Sequence, residues 1–330
     1  MGSPRQARGP RPRKAPHVLS FIAKRTLLAL SQMLVISAVA FFLLYLSSSG
    51  IARTILGEQA TEEQVAAKTA ELGLDRPLPV RYVEWLLGVF QGDLGRSYFT
   101  PQDVSDALIS RLPTTLSLLI ATTIIAALIA FALGIAAAVY RGWLDRLVQI
   151  LSIAGYAIPG FLFALLLVIV FAINLGWLPA TGYVQLTADP LGWLKTVILP
   201  IAALSIGMIA ATAQQVRGAV IDVLRQDYVR TLRSRGLSER EIIFKHVLRN
   251  ASGTGLTVLG LQFVGLLGGA IVVEQIFALP GLGTVAIQYT SRGDIPVVMG
   301  LLIITSLIVA VVNLLVDLGV GFLNPKARVA

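Results

Sequence analysis

The sequence predicts an all-α integral membrane protein with six transmembrane helices. Apolar residues make up 55% of the 330 residues, charged residues only 14%, and the mean hydropathy is +0.78, which is typical of membrane proteins. Six apolar stretches reach the roughly 20 residues needed to cross the hydrocarbon core of a bilayer. Because lipid offers no partner for backbone N–H and C=O groups, these stretches must be helices. They are residues 26–46, 113–140, 148–174, 197–214, 255–277 and 297–322.

Basic residues are distributed unevenly along this predicted topology. If the six stretches alternate across the membrane, 19 of the 27 Lys and Arg residues share one side with the N terminus and a long loop. The positive-inside rule then places both termini and that loop in the cytoplasm. Membrane topology therefore explains the net charge of +9. We expect the basic residues to interact with the lipid bilayer and not with nucleic acid.

The chain is expected to divide into five segments. Residues 1–20 are rich in Pro and Arg, which predicts a disordered basic tail in the cytoplasm. Residues 21–46 hold the first transmembrane helix, and residues 47–112 form an extracytoplasmic segment with amphipathic helices. Residues 113–325 form the core of five transmembrane helices, including a cytoplasmic loop at 217–253, and residues 326–330 are a cytoplasmic tail.

Two patterns predict the helices of the extracytoplasmic segment. Thr61 and Gln64 have the spacing of a capping box and Gly73 suits a helix end, which predicts a helix over residues 62–72. Apolar residues at helical spacing beside Trp85 predict a second helix. Its apolar stripe can lie on the outer membrane face or simply pack against neighbouring loops. The stripe consists of Val83, Leu86, Leu87 and Phe90.

Small and kinking residues inside the predicted spans allow two interpretations. Pro159 and Pro200 can kink a helix, whereas Gly265, Gly268 and Gly269 let helices approach closely. Such residues line pathways in transporters, but ordinary helix bundles use them too.

Ionisable groups are scarce in the predicted spans. Glu274 and Asp317 lie near the ends of the fifth and sixth. A carrier driven by protons or sodium usually needs carboxylates or broken-helix ion sites within the membrane. The sequence therefore argues against a secondary transporter that powers itself.

Enzymatic chemistry has little basis in this sequence. The histidines are His17 and His246, there is no cysteine, and no GxxxxGK[ST] phosphate-binding loop occurs. The spans offer no Ser/His pair, HExxH motif or pair of carboxylates at catalytic spacing. We therefore expect no catalytic residue, no metal ligand and no cofactor in this chain.

The polar segment between the fourth and fifth spans, residues 226–250, is the strongest candidate for function. The fourth helix is predicted to continue, now amphipathic, as far as Leu232, and Gly236 to end it in the left-handed conformation. A capping box from Ser238 to Glu241 then starts a new short helix. Such a helix fits a groove on a partner, but a basic loop can also serve topology alone. The candidate docking residues are Gly236, Leu237, Ser238, Glu239, Glu241, Ile242, Phe244, His246 and Leu248.

This loop resembles the cytoplasmic loop of permease subunits in binding-protein-dependent ABC importers. In that family a short EAA element is followed by three residues, a glycine and a further helix. Here Arg230, Thr231 and Leu232 stand at the EAA positions and Gly236 at the glycine. The resemblance implies that these residues also contact an ATPase subunit.

Other segments resemble the branch of this family that includes dipeptide, oligopeptide and nickel permeases. His246 stands where the wider family has isoleucine, a departure typical of that branch. The long segment after the first span points to its B-type permease, whereas Gly321 and Asn324 depart from the usual ending. The matches, in the order of the family, are residues 72–77 (LGLDRP), 92–98 (GDLGRSY), 111–114 (RLPT), 158–161 (IPGF), 178–183 (LPATGY), 227–238, 246–251, 274–283 (EQIFALPGLG) and 313–328.

The resemblance implies a permease of the type I ABC importer fold in the cytoplasmic membrane of a prokaryote. It implies a second, C-type permease subunit and two cytoplasmic ATPase subunits that bind ATP and Mg. It also implies an extracytoplasmic substrate-binding protein that delivers di- or oligopeptides. Nickel chelates, glutathione, haem or another small solute are alternative cargoes. A secondary transporter and a membrane scaffold remain the alternatives from other functional classes.

Overall fold

The first transmembrane span is a single long helix. In a computed structural model, which describes residues 18–46 and 50–323, helix α1 comprises Val18–Leu46. The last three residues of the predicted basic tail therefore belong to this helix. The rest of that tail and the predicted tail at 326–330 lie outside the described residues.

Four short helices follow α1. They are α2 (Ile51–Leu56), α3 (Glu62–Glu71), α4 (Leu78–Phe90) and α5 (Val104–Ile109). The capping box predicted for α3 is present: the N–H of Gln64 donates to Thr61 Oγ1 at 3.3 Å, and the N–H of Thr61 donates to Gln64 Oε1 at 3.0 Å. Gly73 follows α3 with φ +61°, as its place at the helix end predicts.

Helix α4 does not bury the apolar stripe that predicted it. Tyr82 and Trp85 pack on Phe41 of α1, and Arg81 is buried beside them. Aromatic rings bury more area than aliphatic side chains, so the aromatic side of α4 turns toward α1. The exposed residues of the stripe are Val83, Leu87 and Phe90.

The third predicted span is a bent pair of helices. After α6 (Leu112–Tyr140), the chain forms α7 (Gly142–Ala157) and α8 (Gly160–Leu167), and a π-helical segment of 7 residues extends α8. The two parts are bent by 96° at Ile158 and Pro159. Proline drives the residue before it out of the helical conformation, and Ile158 is extended, with φ −89° and ψ 118°. Five single helices are long and apolar enough to cross a membrane, and the bent pair, counted as one span, brings the number to the predicted six.

The fourth span is the longest helix, α9 (Pro190–Leu224), with 35 residues. It continues through Pro200 without a break. The prediction that it continues to Leu232 is wrong, because Gln226 is extended (φ −72°, ψ 147°) and a separate helix, α10 (Asp227–Ser234), follows. An acidic residue in the first turn of α10 favours this new start through the helix dipole.

The short helix predicted after Gly236 is not a separate element. A short α11 (Glu239–Glu241), a π-helical turn (Ile242–Val247) and α12 (Leu248–Ile276) follow one another in one continuous helix. The helix starts after Ser238 as predicted, but it is not short. No glycine or proline between residues 239 and 250 interrupts the helix, so the fifth span begins in the polar loop.

A buried carboxylate orders the turn after the fifth span. Glu274 is fully buried and accepts a hydrogen bond from Thr115 Oγ1 at 2.6 Å. Its other oxygen accepts from the N–H groups of Gly283 and Thr284, at 2.7 and 3.2 Å, in the first turn of α13 (Leu282–Arg292). Free N–H groups at a helix start attract a carboxylate. Glu274 therefore joins the second span, the fifth span and α13.

Helix α9 lies at the centre of the bundle, packed against α6, α7, α8 and α12. The last span, α14 (Ile295–Leu323), packs against α1 and α12. Helices α6 and α9 come close at Gly134, where a Cβ atom would lie 2.7 Å from the carbonyl oxygen of Ala213. Apolar side chains fill the core between α6, α9 and α12, among them Leu118, Leu119, Val197, Ile201, Leu259 and Phe263.

Replacing Gly134 with alanine should destabilise the bundle. The new Cβ would meet the carbonyl oxygen of Ala213 at 2.7 Å and Val216 Cβ at 2.9 Å, so α6 and α9 would have to move apart. Overpacking of this kind costs about 1–3 kcal/mol, and we expect a lower midpoint of thermal unfolding in detergent. Gly218→Ala is the control, because nothing lies within 4 Å of its Cβ position. An unchanged midpoint for Gly134→Ala would contradict the close approach.

Candidate functional site

Helix α10 gives the polar loop between α9 and α12 an ordered start. We define residues 225–247 as the basic loop. Val229 is buried against α9 and Leu232 is half-buried, whereas Arg230 and Thr231 are exposed. Of the three residues at the EAA positions, two are therefore accessible to a partner and the third anchors α10.

Gly236 ends α10 in the predicted left-handed conformation, with φ +82°. The N–H of Leu237 donates to the C=O of Leu232 at 3.3 Å, and the N–H of Gly236 donates to the C=O of Arg233 at 2.9 Å. These are the two hydrogen bonds of a Schellman motif. Nothing lies within 4 Å of the position of a Cβ atom, so backbone conformation, and not space, demands glycine here.

Ser238 caps the next helix, as predicted. The N–H of Glu241 donates to Ser238 Oγ at 3.3 Å, while the Glu241 carboxylate accepts from Lys245 at 3.3 Å, so only half of the predicted capping box forms among the described residues. Arg233 donates to both carboxylate oxygens of Glu239, at 2.6 and 3.2 Å. This hydrogen-bonded pair raises the pKa of Arg233 and joins the two helices across the glycine turn.

The apolar side of the new helix faces its own chain. Ile242, Ile243 and Val247 are buried, and Ile242 and Val247 pack in one cluster with Val216 and Val220 of α9. Ile242, a predicted docking residue, therefore supports the loop from beneath. The docking role of the outer surface stays a prediction. Of the other predicted residues, Gly236, Ser238, Glu239, Glu241 and Phe244 are exposed, and Leu237, His246 and Leu248 are half-buried.

A side-chain contact that the sequence did not predict closes the basic loop. Asn250 Nδ2 donates to the hydroxyl of Tyr228 at 3.0 Å and to the C=O of His246 at 2.9 Å. The start of α10 is thus fastened to the start of α12. Asn250 and Tyr228 both lie in segments that resemble the permease family, and this resemblance was the available signal that the two residues matter. The spacing of the residues could not show that they contact each other.

A second candidate region is a cavity of about 480 Å³ at the break in the third span. Its walls come from the break and from the facing sides of α9 and α12. Pro159, Gly265 and Gly269 line it, whereas Pro200 and Gly268 are not in its lining. Three of the five residues with a possible pathway role are therefore brought together.

The break leaves backbone groups without hydrogen bonds. In the part of the chain that the structure describes, the C=O groups of residues 155–158 and the N–H groups of Gly160 and Phe161 have no hydrogen-bond partner. Pro159 lacks an N–H altogether. Unpaired groups of this kind are too costly to face hydrocarbon chains. This side of the chain must therefore face water or another protein.

An ion pair fixes the start of α7 to α9. The guanidinium of Arg217 donates to both carboxylate oxygens of Asp145, with Nη2 at 2.7 Å from Oδ2. Both side chains are mostly buried. The pair holds the bent third span against α9, on the same side of the bundle as the basic loop.

Neither region is arranged for metal chemistry. Within residues 18–46 and 50–323, no group of three or more His, Cys, Asp or Glu side chains is placed to hold a metal ion. What the geometry offers is an ordered charged surface at one end and, at the broken span, a cavity lined mostly by apolar side chains and glycines, beside free backbone groups.

This chain matches the family described as "Binding-protein-dependent transport system inner membrane component" over residues 130–329, and its N-terminal counterpart over residues 18–119. A relative from Brucella abortus (strain 2308), named as a peptide transport system permease protein, is 39% identical over 310 residues, covering 94% of this chain and 99% of the relative. The glutathione transport system permease protein GsiC of Salmonella typhimurium is 38% identical over 312 residues, covering 94% and 99%. Both alignments are long enough to include the basic loop and the broken span.

A solved structure shares the fold. A chain of the MetNI methionine ABC transporter, in an inward-facing conformation, superposes with a TM-score of 0.55 at 18% identity, covering 66% of this chain and 96% of that chain. The prediction of an all-α, type I ABC importer permease fold is confirmed.

Removing the carboxylate of Asp145 should destabilise the chain, because Arg217 would keep a mostly buried charge without a partner. We expect Asp145→Asn to lower the midpoint of thermal unfolding in detergent by about 2–4 °C. The double variant Asp145→Asn/Arg217→Gln should lose less than the two single variants together. Arg230→Gln is the control, since its contact with Asp227 is exposed and 3.8 Å long and should contribute little. Strictly additive losses at positions 145 and 217 would refute the coupling.

Proposed function

The chain belongs to the family of binding-protein-dependent transport system inner membrane components, and from this premise we propose that it is a B-type permease subunit of an ATP-driven importer of di- or oligopeptides. It forms half of the translocation path, beside a C-type permease subunit. Relatives named for peptide and glutathione transport support this class of cargo, because glutathione is itself a small peptide. An extracytoplasmic substrate-binding protein delivers the cargo and selects it.

The ordered basic loop is the observation that carries this proposal. A loop needed only for topology requires positive charge and no fixed shape. This one has a Schellman turn, the Arg233–Glu239 pair, the Asn250–Tyr228 hydrogen bond and an apolar underside packed on α9. Such order at an exposed charged surface supports docking of a partner.

Two cytoplasmic ATPase subunits are the partners we propose for this surface. One docks on the basic loop of this chain and the other on the corresponding loop of the C-type permease. The ATPases bind ATP and Mg and carry out hydrolysis, while this chain contributes no catalytic residue. On the loop, the accessible side chains of Arg230, Thr231, Ser238, Glu239 and Phe244 make the contact, and Ile242 holds them in place from below.

The broken third span supports the role in translocation. Its unpaired C=O and N–H groups need water or a polar partner, and a path between two permease subunits supplies both. A peptide carries N–H and C=O groups of its own. The free backbone groups at the break can form hydrogen bonds with them whatever the side chains of the peptide are, and the glycines leave room for those side chains. A secondary transporter would leave the ordered basic loop without a partner.

Gly236 tests the docking proposal. Gly236→Val places a β-branched residue at φ +82°, a strain of roughly 1–3 kcal/mol, which is too small to unfold a bundle packed elsewhere. We expect normal membrane levels, loss of peptide uptake and loss of ATPase subunits in a pull-down. Ser238→Ala should show the same defects more mildly, since a cap contributes about 1 kcal/mol.

The matched control is Gly236→Asn, because asparagine tolerates the left-handed conformation better than other residues with a side chain. It should retain most uptake and ATPase binding. If Gly236→Val takes up peptide and binds the ATPases as the wild type does, the loop serves topology only and the docking proposal is wrong.

Orientation has its own test. We propose that both termini and the basic loop are cytoplasmic, following the distribution of basic residues. Reporter fusions after Gly50, Arg141, Gly182, Gly236 and Gly293 should then lie outside, inside, outside, inside and outside. A cytoplasmic signal after Gly182 would show that the bent third span does not cross the membrane.

A further inference from the structure

Helix α4 lies beside the membrane-spanning part of α1, and not beyond its end. The hydroxyl of Tyr82 lies 3.0 Å from Ser37 Oγ and donates to the C=O of Leu34 at 3.2 Å. Leu34 stands in the middle of the apolar stretch Ile22–Leu46. At 1.5 Å per residue it is about 18 Å along the helix from Leu46. The side chain of Tyr82 therefore reaches the middle of the first span.

This position places α4 within the bilayer. If α1 left the membrane before Leu34, residues 22–33 would provide only about 18 Å of helix to cross a hydrocarbon core of about 30 Å. The part of α1 that α4 contacts, from Leu34 to Tyr45, must therefore lie inside one leaflet. Trp85 packs on Phe41, about 10 Å farther along α1 toward Leu46.

The charged groups of α4 are Arg81, which is buried, and Glu84, which is about half exposed and paired with Arg76. Arg81 is buried with its guanidinium 4.0 Å from the ring centre of Tyr45, and Nη2 donates to the hydroxyl of Tyr98 at 3.3 Å. Glu84 accepts two hydrogen bonds from Arg76, at 2.8 and 2.5 Å. The sequence of α4, LPVRYVEWLLGVF, contains no other charge. Its surface thus presents no unpaired ion to a medium of low dielectric constant.

The other side of α4 is a row of exposed apolar side chains. Val83 is 53% exposed, Leu87 55% and Phe90 73%, and they repeat at helical spacing. Helix α1 likewise exposes apolar side chains, among them Val39 and Leu43. Exposed apolar surface of this kind marks a site of contact with a membrane or with another protein.

We propose that α4 is an interfacial helix embedded in the leaflet opposite the basic loop, with Val83, Leu87 and Phe90 in contact with the acyl chains of lipid. The first span and α4 then form one lipid-facing unit, which anchors the segment between residues 50 and 103 at a fixed depth. This inference rests on the membrane location of the family and is independent of cargo and of the ATPases.

The absence of cysteine from the chain makes the test direct. Val83→Cys, Leu87→Cys and Phe90→Cys each receive a nitroxide spin label, and Glu63→Cys on exposed α3 is the control. The full chain, with the subunits that co-purify with it, is reconstituted into vesicles of phosphatidylethanolamine and phosphatidylglycerol. Collision rates are then measured with oxygen, which concentrates in lipid, and with a water-soluble nickel chelate.

We expect the ratio of oxygen to nickel accessibility at the three α4 positions to exceed that at Glu63→Cys several-fold. High nickel accessibility at the α4 positions would place the row in water and overturn the proposal. Low accessibility to both reagents would show that a protein partner covers the row, and would overturn it equally. Should one label disturb folding, Val80→Cys reports on the same face, since Val80 is also exposed.

Discussion

Backbone N–H and C=O groups that cross hydrocarbon must be hydrogen-bonded within the protein, and the rest of this structure depends on that requirement. Helices α1, α6, α9 and α14 are unbroken, and α9 continues through Pro200 although that residue has no N–H to donate. The exception at residues 158–159 has consequences of its own. Its free backbone groups determine that one side of the bundle cannot face lipid, so the break orients the molecule relative to its surroundings.

Near the ends of helices, buried carboxylates supply hydrogen-bond acceptors for N–H and O–H groups. Glu274 accepts hydrogen bonds from the N–H groups of Gly283 and Thr284 in the first turn of α13, and Asp294, also fully buried, accepts hydrogen bonds from Ser97 and from the N–H of Tyr98. Each carboxylate joins segments that are distant in sequence. The ends of the spans are thus fixed by a few polar contacts, while small and apolar side chains pack the middle of the bundle.

Much of the fold could be predicted from the sequence because its signals are local. Length and hydropathy located the six spans, and the capping residues Thr61 and Ser238 located two helix starts. Gly236 could be assigned a positive φ for the same reason. The predictions that were wrong concerned features that depend on tertiary packing. Spacing could not show that Tyr82 and Trp85, and not Val83 and Leu87, would face α1, since both sets repeat with a helical period.

The candidate site was predictable to a similar degree. The loop was found from its charge and its helix signals, but Ile242, which was predicted as a docking residue, is buried against α9. An apolar residue on an amphipathic helix gives no sign of whether its partner is the same chain or another. The Asn250–Tyr228 contact was missed because it joins positions 22 residues apart across a turn, a distance at which one sequence carries no pairing information.

The length of α9 gives the basic loop a mechanical reach. At 1.5 Å per residue, its 35 residues extend about 52 Å, from the side of α13 to the basic loop, and the cavity at the broken span lies along its flank. If such a rigid rod pivots near residues 201–204, a tilt of about 5° moves its loop end by roughly 3 Å and its other end by roughly 2 Å. Since α10 and the start of α12 are fastened to its lower end through Val216, Val220 and Val229, a small push on the loop tilts α9 and reaches the opposite face of the membrane as a smaller movement in the other direction. The helix acts as a lever whose fulcrum is the packed core around Ile201 and Leu204.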